Sequence, residues 1–190
     1  ANGSLRAFGL LKTGLLALGG ALSFKTIMDL ADGWTDLSSR VKIAAGSMEK
    51  GGAVMDRLSE MARRTYSSLG QTAESYLLNA TALKELGYST QKQLDFTEAL
   101  NNALVVSGAK GERAASVMNA ISKAMAGGKL QGDDLNTVIQ TGGRVAEALA
   151  AGLGVTTNQL RKLGAEGKIT SDKTMKALLS QLEKLREEAD

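Results

Sequence analysis

No histidine, cysteine or proline occurs among the 190 residues of this chain. Without cysteine there is no disulfide framework, thiol nucleophile or zinc ribbon. Redox compartment stays open, since the lack fits cytosol and periplasm equally. Without histidine there is no imidazole base, serine–histidine triad or imidazole-ligated metal. Carboxylates and lysines are the chemistry left, so an enzyme is an unfavoured class and no catalytic, cofactor-binding or metal-binding residue is assigned. Aromatic residues make up only 4%, so any core must be aliphatic. Ordinary proline usage would have supplied roughly ten; here the 22 glycines are the punctuation.

What is present favours helix. Apolar residues reach 43%, and 27 Ala with 28 Leu outweigh 13 Ile and Val. Alanine and leucine lead the helix scale, whereas β-branched residues favour strands. The fold class is all-α: a compact multi-helix domain of about eight to ten mostly short helices, preceded by an apolar N-terminal helix. The 23 basic and 20 acidic residues leave a net charge of +3. Residues 1–31 carry +2, 32–87 balance at seven each, and 88–190 carry +1. No block of one sign stands out, so the clustered lysine and arginine of a nucleic-acid footprint are missing.

Residues 5–31 read as one apolar helix, with Leu5, Phe8, Leu11, Leu15, Leu18 and Leu22 at steps of three and four. Leu10, Leu16, Ala17 and Ala21 widen the stripe almost all round, so most of its surface needs burial. A core or oligomer helix is the first reading, because Gly14, Gly19 and Gly20 suit close backbone approach. A membrane-active segment is the second. The uncharged run, residues 13–24, has 12 residues, short of the about 20 that a span needs. Two domains are predicted, 1–31 and 32–190.

Asp32-Gly33 is expected to end this helix, with Asp36 capping the next through Ala45. After a break at Gly46-Ser47 comes an amphipathic helix with Val54, Leu58, Met61 and Ala62 as its stripe, ending near Tyr66. Later helices are expected over 72–86, 90–107, 112–126, 133–142, 145–151, 158–163 and 171–188. Gly87 sits at a C′ position, Ser89 or Thr90 and Thr156 or Thr157 at N-caps. The last helix, opened by Ser171, carries Met175, Leu178, Leu179, Leu182 and Leu185; Leu178–Leu185 is a candidate contact surface leading into a coiled coil, although such a stripe more often packs internally. No period of 20–50 residues recurs, which excludes a solenoid.

Candidate chemistry is thin. Asp133/Asp134 and Glu187/Glu188 are adjacent pairs, and neighbours on a helix point about 100° apart. The first pair reads as helix-start charge and the second as a solvated tail. Gly127-Gly128-Lys129 lacks the spacing and the Lys-Ser/Thr ending of a P-loop. Residues 154–169 resemble the helix and exit turn of a DNA-binding helix-turn-helix, with Arg161 and Lys162 set to meet phosphate. Glu166 and Asp172 dilute that patch, and a capped helix packed through Leu160 and Leu163 fits better.

One pattern is more specific. Gly128-Lys129-Leu130, Gly132, Leu135, Val145-Ala146, Leu149-Ala150, Leu153-Gly154-Val155-Thr156, Leu160 and Gly167-Lys168-Ile169 together resemble the N-terminal domain of tailed-phage tape measure proteins. Leu37-Ser38-Ser39-Arg40-Val41-Lys42 is similar to the entry to that domain. Where that pattern leads one to expect a proline before the Ala-rich helix, Gly142-Gly143 stand here. The resemblance covers roughly residues 30–175. It implies a structural, non-enzymatic virion protein without cofactors, part of the ruler that sets tail length during assembly and is released at genome delivery. Implied partners are tail assembly chaperones, tail tube and tail tip proteins, further copies of the chain, and the host membrane at infection. Implied locations are the tail lumen and, during assembly, the host cytoplasm. A ruler helix rises about 1.5 Å per residue, but the glycine breaks here predict a folded module attached to the ruler, with the extended part elsewhere.

Overall fold

A computed structural model describes residues 24–65 and 67–190, with side chains from residue 32 onward. Ten helices and no strand occur among the described residues: α1 (Phe24–Ala45), α2 (Met48–Arg64), α3 (Leu69–Glu85), α4 (Thr90–Val106), α5 (Glu112–Gly127), α6 (Gly132–Thr141), α7 (Gly143–Leu153), α8 (Thr157–Ala165), α9 (Ser171–Ser180) and α10 (Leu182–Ala189). The all-α class is therefore observed. The apolar segment expected over residues 5–31 lies largely outside the described residues. The described chain divides after Asp36 within α1, and every helix from α2 onward lies in the unit Leu37–Asp190.

The sequence's punctuation works where side chains or backbone can satisfy helix ends. Ser47, Ser68, Ser89, Thr156 and Thr170 each accept from the N–H three residues on, a bond that fills one of the orphan donors of the first turn. Thr156 and Gln159 complete a reciprocal capping box. Gly87 closes α3 at φ +85, with Gly87 N–H donating to Lys84 and Tyr88 N–H to Leu83. A side chain there would be strained in the left-handed region.

Several expected boundaries move. Helix α1 runs unbroken through Asp32-Gly33. Glycine costs a helix about 1 kcal/mol relative to alanine and does not block it as proline does. Helix α3 opens at Leu69 rather than Thr72, because Ser68 supplies the cap, whereas α9 opens at Ser171 as expected, with Thr170 as its cap. The single final helix is two: Gln181 ends α9 and begins α10 at φ −101, ψ 0. That turn lets α9 pack on α7 while α10 lies along α4.

Helix α4 is the hub. It packs against α2, α3, α7, α9 and α10, and every residue from 93 to 104 except Asp95 is buried. Its apolar residues split between two clusters. Phe96, Ala99, Leu100, Ala103 and Leu104 join the large core built from α3 through α10. Leu94 joins a smaller one with Val41, Val54, Leu58, Met61 and Tyr76. Buried polar residues of the same helix, Gln93, Thr97, Glu98, Asn101 and Asn102, lie among these.

Candidate functional site

The most strongly charged constellation gathers on Glu98 of α4, which is 3% exposed. Arg186 of α10 reaches it with two bonds, Nε to Oε1 at 2.7 Å and Nη2 to Oε2 at 2.8 Å. Arg57 of α2 donates to Oε2 at 2.6 Å, and Arg64 of α2 stands 3.6 Å from Oε1. Burial by itself pushes the Glu98 carboxyl up; the bonds from Arg186 and the charges of Arg57, Arg186 and Arg64 outweigh it and hold the group below its usual range. The outer faces of the guanidiniums are paired as well, Arg57 with Glu60, Arg186 with Glu183 and Arg64 with Asp190. A carboxylate so saturated has no free lone pair or proton to offer a substrate. Its chemistry is that of a tie between helices.

The adjacent acid pairs do not form sites. Asp133 and Asp134 lie in the first turn of α6, where they complement its dipole. Glu187 and Glu188 diverge. Glu187 is exposed, while Glu188 accepts from Arg144 Nε at 2.5 Å and Nη2 at 3.0 Å. Both residues are exposed, as the solvated-tail reading has it, but Glu188 is also tied to Arg144, whose bond holds its carboxyl low. Among the described residues no three acidic side chains converge to hold a metal ion, and no helix is long and apolar enough to cross a membrane.

In the basic segment, α8 buries Leu160 completely and Leu163 in part. Arg161 donates to Asn136 at 2.8 Å, and Lys168 pairs with Glu166 at 2.7 Å. The leucine stripe at the chain's end is not a free contact surface either: Leu178 and Leu185 are fully buried and Leu182 nearly so. The internal packing usual for such stripes is what the structure holds.

The spaced glycines and aliphatics prove to be one packed constellation. Leu130, Val145, Ala146, Leu149, Leu160 and Ile169 are all fully buried in the large core, with Leu135 and Ala150 nearly so. The two Gly-Lys-aliphatic segments meet directly. Lys129 and Thr170 form an isolated antiparallel bridge, Leu130 N–H donates to the Ile169 carbonyl at 2.8 Å, and Ser171 N–H donates to the Gly128 carbonyl at 2.9 Å. Pairing there clips the start of α6 to the start of α9. The profile of the tape measure protein family matches residues 25–190.

The chain belongs to the tape measure protein family. This agrees with the resemblance carried by the glycine-spaced segments, and it makes a structural component of a phage tail the plain reading of the chain. No curated protein and no solved structure matches it. In this tape measure domain the family pattern is written in core positions and turns, not in reactive groups. Two features of the surface were not signalled by sequence. Ile43 and Met48, 80% and 72% exposed, flank the turn between α1 and α2. A cavity of about 120 Å³ opens between the start of α3 and the end of α4, walled by Ser67, Thr72, Asn101, Leu104 and Lys110 among others. Thr65, Ser67 and Thr72 chain their hydroxyls there at 2.8 and 2.9 Å, and Asn101 Nδ2 is buried without a partner.

Proposed function

We propose that this chain is a folded, docking module of a tape measure that sets tail length during assembly and is released at genome delivery. The family match over residues 25–190 carries this reading. The helix lengths support the module rather than the ruler: the longest described helix has 22 residues, about 33 Å at 1.5 Å per residue. Helices α3 to α10 fold back into one core, and α2 packs into a smaller cluster beside α4. Such a unit contributes contacts, not distance.

In this reading the module works without a cofactor and turns over no substrate. It meets tail assembly chaperones in the host cytoplasm, then tube and tip proteins in the tail lumen, beside further copies of itself. Contact with the host membrane at infection falls to residues 5–31. Nucleic acid is not a partner on this reading: of the two residues set to meet phosphate, Arg161 is bonded to Asn136 while Lys162 stands exposed, and Lys168 pairs with Glu166.

Electron microscopy of phage particles tests it. An in-frame deletion of α6–α8 removes core and should abolish normal tails. Normal tails shortened by about 1.5 Å per deleted residue would show instead that these residues are ruler, and would overturn the module.

A further inference from the structure

Helix α10 has eight residues, too few to stay helical without partners. Its apolar grip on α4 is two side chains, Leu182 and Leu185. The rest of its hold is ionic and runs in three directions: Arg186 to Glu98 of α4, Glu188 to Arg144 of α7, and Asp190 to Arg64 of α2 at 3.0 Å. Residues 182–190 carry four acids, Glu183, Glu187, Glu188 and Asp190, against two bases, Lys184 and Arg186. This acidic segment therefore brings net negative charge beside the arginines of α2.

Helix α2 depends on the same place. Its apolar stripe, Val54, Met55, Leu58 and Met61, belongs to the smaller cluster, outside the large core. Its polar hold is Arg57 and Arg64 on Glu98. Those bonds are strong while Glu98 is dry, because charges attract more strongly at low dielectric. With α10 lifted away, Glu98 meets water and Arg64 loses Asp190.

We propose that α10 is a clasp that undocks as a unit, and that its docking governs how firmly α2 is held. The inference concerns the mechanics of Leu37–Asp190 and stands apart from any role in a tail. Two elements distant in sequence, one near each end of this unit, share one buried acid. Loosening either loosens the other, because coupling of this kind is reciprocal.

Hydrogen exchange on the full chain reads the coupling residue by residue. Glu188→Gln cuts the tie to α7 and touches nothing on α2. It should speed exchange in α10 by about two- to fivefold, the size of a partly exposed ion pair, and speed the second half of α2 with it. Amides of α5 and α9 should not change. Glu187→Gln removes the same charge from an exposed position and should leave both α10 and α2 unchanged. Raising salt from about 0.05 to about 1 M screens all three ties and should reproduce the Glu188→Gln pattern in the unmodified chain. The proposal is overturned if α10 loosens while α2 does not, if α10 exchanges at the rate of α5 throughout, or if Glu187→Gln acts like Glu188→Gln.

Discussion

Arg186 lays two donors across both carboxylate oxygens of Glu98, at 2.7 and 2.8 Å, and joins the last described helix to the most buried one. This fork geometry suits arginine and not lysine. Removing one member of a buried pair costs about 3–5 kcal/mol, because the surviving charges lose compensation. Glu98→Gln leaves three partly exposed guanidiniums facing a neutral amide, and it should lower unfolding stability by about 3 kcal/mol. Arg186→Lys should recover only part of the loss caused by Arg186→Gln. Urea titration of the three variants checks both. Equal stability of Glu98→Gln and the unmodified chain would show that the tie contributes nothing.

The same acid sets an acid limb to stability. Its folded value lies below the usual 4.5, so its contribution is complete above that value and is lost as pH falls through the folded one. Between about pH 5 and 2 the unmodified chain should lose stability more steeply than Glu98→Gln. Parallel curves would mean that other carboxylates carry the acid response.

Tyr88 tests a second tie, between the turn after α3 and the start of α9. Its hydroxyl donates to Asp172 Oδ1 at 2.5 Å. Burial first, and then that bond, push the phenol up to about 12. A group raised in this way stabilises fully below its unfolded value, near 10, and loses its effect as pH rises through the folded one. Tyr88→Phe should cost about 1 kcal/mol near neutrality, discounted because Asp172 is half-exposed, and the gap to the unmodified chain should close above about pH 10. Thermal melts across that range measure it. A gap that persists unchanged at high pH would assign the loss to packing alone.

Much of the architecture was readable because its signals are local. The 94, 97, 100, 104 spacing placed the buried side of α4, Ser89 or Thr90 its cap (Ser89 in the structure) and Gly87 the end of α3, all from residues within one or two turns of each other. What was not readable depends on sequence-distant partners. Glu98 is an ordinary charged residue until Arg57, 41 positions away, and Arg186, 88 away, converge on it. Glu188 looks like tail charge until Arg144 arrives from α7. The Asp32-Gly33 break failed for another reason: a penalty of about 1 kcal/mol is a weak stop when the flanking turns are helical.

Gly152 separates propensity from packing. A methyl group there would lie 2.5 Å from the Ala177 Cα of α9, a backbone atom that cannot rotate aside. Alanine gains up to about 1 kcal/mol as a helix former, and overpacking costs about 1–3. Gly152→Ala should therefore destabilise by about 1–2 kcal/mol. Gly70→Ala, in the first turn of α3 with open space around it, should be neutral or stabilising. Denaturant midpoints for both variants decide it, and a stabilised Gly152→Ala would mean that α7 and α9 are free to move apart.

The segment Gly167-Lys168-Ile169 asks whether the family pattern is a surface signal or a packing one. Ile169 is fully buried beneath the bridge that joins Gly128-Lys129-Leu130 to the start of α9, and its carbonyl holds Leu130 N–H. Lys168 points outward, 59% exposed, with Glu166 as its ion-pair partner. Truncating a buried isoleucine to alanine costs about 2–5 kcal/mol, transfer and cavity terms together, whereas an exposed pair contributes about 0–1. Ile169→Ala should thus lose about 3 kcal/mol and loosen α6, α8 and α9 together, while Lys168→Ala should stay within about 0.5 kcal/mol of the unmodified chain. If Lys168→Ala left stability untouched yet abolished tails in assembled phage, the lysine would be a docking residue and the aliphatic its support. If Ile169→Ala were tolerated, the glycine-spaced pattern would not be a core at all.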